Sequence, residues 1–238
     1  MKKNLMFIIP TLTQGGAERV IVTLLNNLNK EDFNLSLLVV NMEDEIYSEE
    51  LPTEVNLVNL GYKRVRYALP KIILSIWQYK PDIVMSTIGY LNLAIALLRP
   101  VMPKSVRFVG RETIVVSEGL SRVRFPRVWK FWYRCLYPSF DKVICQSKDM
   151  LTDLSRVTGN HHNLILINNP VDHKRIKKIM SINEPAVEDF FDDISKIFFV
   201  AAGRLTSQKG FELLIKAVAA TKNPRVKLAI LGDGPLKE

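Results

Sequence analysis

The sequence predicts an α/β protein: a Rossmann-like, doubly wound parallel sheet followed by the start of a second Rossmann-like unit. Three observations carry this reading. Short apolar runs alternate with segments of helical periodicity along most of the 238 residues. The runs are continuous, as strands covered on both faces must be. The alternation breaks once, in a polar stretch near residue 180, and then resumes. Strands alternating with helices favour a parallel sheet with helices on both sides.

Leu5 to Ile9 is the first such run. Gly15 and Gly16 follow, and then apolar residues fall at Ala17, Val20, Ile21, Leu24, Leu25 and Leu28, one core-facing helical stripe. Phe33 to Val40 reads as the second strand and closes a strand–helix–strand unit. VNLVNL (55–60), DIVMS (82–86), SVRFVG (105–110), KVICQS (142–147) and NLILIN (163–168) are further strands. Helical spacing occupies YALPKIILSIWQY (67–79), LNLAIALL (91–98) and RVWKFWYRCLY (127–137). The stretch 176–196 is polar, holds Pro185 and reads as a helix running into a linker. IFFVAAG, FELLIKAVAAT and VKLAILG then give strand, helix and strand, and DGPLKE a turn opening another helix. The expected division is an N-terminal Rossmann-like domain over 1–180, a linker over 181–195 and an incomplete second domain over 196–238. Two strands are fewer than a stable sheet usually holds, so residue 238 is expected to mark a truncation.

Composition narrows the function. The formal charge is +9, which favours an anionic partner such as a nucleotide, nucleic acid or lipid surface. MKKNLMFIIP begins like a signal peptide, but its apolar run ends at Pro10, short of the 7–15 residues an h-region needs. No apolar stretch reaches the roughly 18 residues of a membrane span, so a cytoplasmic protein with at most peripheral membrane contact is expected. Cys135 and Cys145 lack metal-ligand spacing and stand among apolar residues; two buried, reduced thiols are expected.

The most specific stretch is GRLTSQKGFELLIKAV. It sets Gly203 at a strand end, then Arg204 and Lys209 just before a helix. It is not a Walker A loop, whose lysine follows the glycine. Two cations beside a helix N-terminus nevertheless form a cradle for a diphosphate, because free N–H groups and the helix dipole add to their charge. The competing reading is a solvated loop with incidental charges.

GGAERV, NNPVD (168–172), GRLTSQKGFELLIKA and LGDGPLKE, in this order, resemble the retaining GT-B glycosyltransferases of the family-4 type. The likeness covers the chain from end to end. It implies two Rossmann-like domains and a nucleotide-diphosphate sugar as donor. It further implies a glycan or polyprenyl-linked glycan as acceptor, and a reaction that needs no metal or other cofactor. It also implies that Arg204 and Lys209 stabilise the departing diphosphate, electrostatic work that a divalent ion does elsewhere. Gly15 and Gly16 then bring the backbone close to the donor phosphate, with the helix start pointing its positive end at the ligand. Glu18 and Arg19 fall in the first helical turn, where contact with the acceptor competes with a plain dipole role for Glu18.

Two features depart from the family pattern. Many relatives carry a histidine near the reacting sugar, where this sequence reads Arg111-Glu112-Thr113; its histidines are His161, His162 and His173. At a strand's C-terminal end, Arg111 and Glu112 are expected to line the acceptor pocket, with Glu112 in the catalytic set; the alternative is an Arg–Glu pair closing the cleft wall. His161 and His162 read as exposed loop residues. The family's E-x7-E motif would lie beyond Glu238, so the 238-residue chain alone is expected to have little or no activity.

RVRFPRVWKFWYRCLYPSF holds Trp129, Trp132, Tyr133 and Leu136 near one helical face and Arg127, Lys130 and Arg134 along another. Interfacial helices share this composition; so does a core-packed helix with a solvated basic rim. Two other functions stay in view. Sugar-nucleotide 2-epimerases share the architecture but usually depend on cleft histidines. A basic polyanion-binding module accounts for the charge, yet no nucleic-acid motif supports it.

Overall fold

Alternate side chains of the first strand decide the layering. In β1 (Lys3–Thr11) Met6 and Ile8 enter one apolar cluster, and Phe7 and Ile9 enter another on the opposite face. That is the two-residue period of a strand buried on both sides. The structure, a computed structural model, describes residues 2–13, 15–159, 161–181, 193 and 195–237.

Chain contacts divide it into two units, Met1–Asp172 and His173–Glu238. In the first, β2 (Phe33–Asn41), β3 (Asn56–Asn59), β4 (Ile83–Thr87), β5 (Arg107–Arg111), β6 (Lys142–Cys145) and β7 (Leu164–Leu166) join β1 in one sheet. The order is β3-β2-β1-β4-β5-β6-β7 and every pairing is parallel. Phe7 stands beside Leu37 on one side and Met85 on the other. The chain winds outward one way from β1 and the other way from β4. Between them lies the point where ligands of such sheets bind, at the carboxyl ends of the strands.

The helix α1 (Gly16–Asn27) covers one face and buries Ile21, Val22 and Leu25 against Phe7, Ile9 and Val39. The other face carries α2 (Val65–Tyr79), α3 (Gly89–Leu98), α4 (Val116–Ser121), α5 (Pro126–Leu136) and α6 (Lys148–Thr158). Two of these, α4 and α6, occupy stretches that the periodicity left unassigned. The α6 boundaries are nonetheless written in the chain. Ser147 accepts a hydrogen bond from the Met150 N–H at 3.2 Å, and Gly159 ends the helix at φ +90. Reading Ser147 as the last residue of a strand hides its capping role.

In the second unit α7 (His173–Met180) precedes a parallel pair, β8 (Ile197–Ala202) and β9 (Val226–Leu231), with α8 (Phe211–Ala220) between them. None of its described residues is fully buried. The helix α7 groups with this unit rather than with the residues before it, and most of the expected linker, 182–192 and 194, lies outside the described residues. DGPLKE forms a turn over 234–236 and no helix among the described residues.

One expectation fails outright. Cys145 is buried in β6, but Cys135 is exposed. Tyr133 takes the core-facing position of α5 and Leu136 is half-buried, so the helical turn carries Cys135 outward.

Phe108 is wholly buried in the larger cluster, with the Arg99 guanidinium 4.2 Å from its ring centre. Replacing it with alanine is expected to cost about 3–5 kcal/mol in urea denaturation. The exposed Val128→Ala is expected to stay within about 0.5 kcal/mol of the wild type.

Candidate active site

The carboxyl ends of β1, β4, β5, β6 and β7 bring together residues from five separate segments. Gly15 caps α1 and Gly16 begins it. A Cβ on Gly15 would stand 2.0 Å from Glu18 Oε2, so the fold-back of the Glu18 carboxylate requires glycine there. A Cβ on Gly16 would meet nothing within 4 Å. The first glycine therefore answers a packing demand, whereas the second borders open space. Glu18 itself is buried and accepts a hydrogen bond from Thr11 Oγ1 at 3.0 Å.

Arg111 ends β5. Its guanidinium donates to Thr87 Oγ1 at 3.1 Å and to Asn169 Oδ1 at 2.7 Å. Burial draws its pKa down to about 10, with Glu112 and Glu18 pulling the other way; the group remains cationic at neutral pH. Asn169 Nδ2 donates to Gln146 Oε1 at 2.9 Å, which ties β7 to the end of β6. Gly16, Glu18, Arg111, Thr113, Gln146 and Asn169 line one cavity of about 360 Å³.

Glu112 is only 1% exposed. Its Oε1 accepts from Asn92 Nδ2 at 3.1 Å and from the Tyr137 hydroxyl, while its Oε2 has no partner among the described residues. Asn92 is held in turn by Ser86 Oγ, which donates to its Oδ1 at 2.8 Å, and its Nδ2 also reaches the Arg111 carbonyl at 3.0 Å. Burial raises the Glu112 pKa; hydrogen bonds from Tyr137 and Asn92 and the charge of Arg111 oppose the shift. Tyr137 and Tyr133 are pushed up by burial beside the same carboxyl group, so both hold their protons. A Cβ on Gly89 would lie 2.2 Å from Tyr133 Oη and 3.2 Å from Glu112 Oε2. The residue before it, Ile88, sits at φ +76, a conformation costly for a branched side chain.

A second cavity of about 280 Å³ adjoins the first through Thr113 and Ile114. Glu112 and Tyr133 contribute to it, and Leu93, Val116, Leu120 and Trp129 make its walls mainly apolar.

The expected residues thus separate. Gly16, Glu18 and Arg111 share the first cavity, and Glu112 borders the second. Arg19 lines neither. It pairs with Glu50 through both guanidinium nitrogens and lies 4.1 Å from the Tyr47 ring centre. Asn92, Tyr133, Tyr137, Gln146 and Asn169 were missed as site residues. Asn169 alone had a signal, inside NNPVD; the others converge only once the sheet is assembled.

Arg204 and Lys209 belong to the second unit, and both are exposed. Leu205 N–H donates to the Asp233 carbonyl at 2.8 Å and fixes the loop between them. Lys209 ends a 3-10 turn, Ser207–Lys209, and Gly210 follows at φ +67 into α8. The Lys209 stem folds back so that its Cε would be 3.6 Å from a Cβ on Gly203, next to Arg204. A Cβ on Gly232 would strike the Gly203 carbonyl at 1.9 Å, which explains a glycine in LGDG. Among the described residues no His/Cys/Asp/Glu group has metal-ligand geometry, and no helix is long and apolar enough to cross a membrane.

Three substitutions test this geometry. Gly15→Ala is expected to lower the melting temperature by displacing the Glu18 carboxylate, whereas Gly16→Ala leaves it within a degree or two. Glu112→Gln tests the buried acid. A glutamate whose folded pKa is raised contributes stability that is complete below its unfolded value and lost as pH rises through the folded value. Melting temperatures from about pH 4 upward should fall relative to Glu112→Gln as pH increases. Parallel profiles would refute a raised pKa.

Comparison with known proteins follows the same lines. The model of Glycosyltransferase Family 4 matches residues 14–175. An N-acetylgalactosamine-N,N'-diacetylbacillosaminyl-diphospho-undecaprenol 4-alpha-N-acetylgalactosaminyltransferase of Campylobacter jejuni is 28% identical over 246 residues. The match covers 99% of this chain and 64% of that protein. A second C. jejuni enzyme, GalNAc-alpha-(1->4)-GalNAc-alpha-(1->3)-diNAcBac-PP-undecaprenol alpha-1,4-N-acetyl-D-galactosaminyltransferase, is 25% identical over 99% of this chain and 63% of its own length. The chain thus spans less than two thirds of the curated relatives it matches. Among solved structures, Anabaena HepE in complex with UDP and glucose superposes with a TM-score of 0.71 at 14% identity, over 98% of this chain and 61% of that one; this likeness shows the GT-B fold. With the family model matching more than half of its length, the chain belongs to glycosyltransferase family 4.

Proposed function

We propose that the protein takes part in transferring a hexose or acetamido-hexose from a nucleotide-diphosphate sugar to a hydroxyl of a lipid-linked glycan, with retention of anomeric configuration, in the assembly of a surface polysaccharide. The observation that carries this is the polar cavity at the carboxyl ends of the parallel sheet. There Gly16, Glu18, Arg111 and Asn169 converge in a chain of family 4. The two C. jejuni relatives are named for undecaprenol-linked acceptors, and the Anabaena structure holds UDP.

Each residue has a separate task in this reading. Arg204 and Lys209 neutralise the diphosphate as the bond between the sugar's anomeric carbon and the phosphate oxygen breaks. Fixed cations are worth most where charge develops, and the N-terminus of α8 adds its free N–H groups. Gly16 leaves room for the approaching sugar. Arg111, held in place by Thr87 and Asn169, orients a hydroxyl or an anionic oxygen. Glu112, its pKa raised by burial and its carboxyl held by Asn92 and Tyr137, borders the neighbouring cavity as a member of the catalytic set. The acceptor oxygen forms the new bond on the face the phosphate leaves, and its proton passes to the leaving phosphate. Arg19, engaged by Glu50 and Tyr47, braces α1 against the connection that follows β2.

Calorimetric titration with UDP tests the donor side without requiring turnover. Arg204→Ala and Lys209→Ala are each expected to weaken binding by about tenfold or more, the effect of losing one charge-assisted hydrogen bond. Unchanged affinity in both variants would sink the assignment of these two cations.

A further inference from the structure

We propose that the outer side of α5 and the loop before it form a docking surface for an anionic lipid bilayer. The inference stands on exposure and charge, and is independent of the donor assignment above. Phe125, Val128, Trp129, Phe131 and Trp132 are 58%, 53%, 39%, 60% and 42% exposed. Five large apolar side chains within eight residues is far more than scattered surface hydrophobics. Tyr133 is the one fully buried side chain of the helix, and Leu136, half-buried, packs against the same core.

The charges around these side chains have one sign. Arg122, Arg124, Arg127, Lys130 and Arg134 fall in this stretch, and no aspartate or glutamate occurs between Glu118 and Asp141. Glu118 is paired with Arg122 at 2.5 Å, which leaves four basic residues. Among the described residues no ion pair joins any of these four to a carboxylate, and Arg124 lies 5.3 Å from the Phe125 ring centre.

Placing Pro126–Leu136 on a helical wheel sets Val128 and Phe131 on the side away from Tyr133, with Arg127 and Arg134 on one flank and Trp132 on the other. Aromatics at headgroup depth with cations beside them are the make-up of a helix lying in the interface plane. A protein partner would have to bury four cations against its own surface, whereas anionic headgroups neutralise them in water. Charge complementarity therefore selects the lipid surface. Trp129 also belongs to the apolar cavity that Glu112 borders, so the docked face is continuous with the candidate acceptor side.

The test uses Trp77→Phe as background, which leaves Trp129 and Trp132 as the fluorescent reporters. Flotation is run with phosphatidylcholine vesicles with and without phosphatidylglycerol, and fluorescence is read in parallel. The expected result is binding that requires phosphatidylglycerol and weakens with added salt, accompanied by a blue shift of tryptophan emission. Arg124→Glu/Arg127→Glu/Lys130→Glu and, separately, Phe131→Ser/Trp132→Ser are each expected to reduce partitioning at least tenfold. Thermal melts and UDP titration of the same variants confirm that fold and donor site are intact. Absence of binding to phosphatidylglycerol vesicles overturns the proposal, as does binding that both variants retain. A concentration-dependent dimer abolished by Phe131→Ser/Trp132→Ser would assign the face to a second copy of the chain and overturn it as well.

Discussion

A carboxyl group taken out of water must be neutralised or fully bonded, and the Glu112 side chain meets that demand only in part. Its Oε1 is held by Asn92 and Tyr137, while its Oε2 is bare. An unbonded buried oxygen costs on the order of 1–3 kcal/mol, and the same burial raises the pKa of the group, favouring the form without charge. The surrounding architecture serves this group. Gly89 lacks the Cβ that would strike Tyr133, Ile88 accepts a strained backbone, and Asn92 bridges β4 to β5 through Ser86 and the Arg111 carbonyl. Pulling one member out would disturb the ends of several strands together, since hydrogen-bonded networks in low dielectric are strongly coupled.

The positive charge of the chain is divided among settings with different physics. Arg111 is buried among strand ends, where its direction is fixed by Thr87 and Asn169 and solvent screening is weak. Arg204 and Lys209 stand in solvent on a loop shaped by glycines at 203, 210 and 232, where their side chains are free to reorient. The cations of α5 are spread among exposed aromatics and suit a diffuse anionic surface. A single net charge of +9 conceals these distinct settings. Family membership, rather than charge, also separates the transferase reading from the epimerase-like one, because the two share a fold.

Much of the site was legible because its signals are local. Two consecutive glycines after an apolar strand announce a loop and helix start, and Arg111 and Glu112 were placed correctly at a strand's carboxyl end. The errors have a common cause. Arg19 looked like a site residue from its neighbours in sequence, but one turn of helix swings it onto Glu50, thirty-one positions away. Cys135 looked buried from its apolar neighbours, but the rotation of α5 carries it out. Periodicity locates a helix more reliably than it fixes which edge of its apolar stripe meets the core.

The sequence by itself determined the parallel α/β class, the strand ends that line the candidate site and the family likeness. These depend on residue type and short-range spacing, which a chain displays without being folded. Tertiary structure alone decided that Glu112 is buried and half-bonded, that Gly15 is demanded by Glu18 while Gly16 borders open space, and that Phe131 and Trp132 of α5 face outward while Tyr133 faces the core. Each of those follows from contacts between segments distant along the chain, and only the assembled sheet brings such segments within a few ångströms of one another.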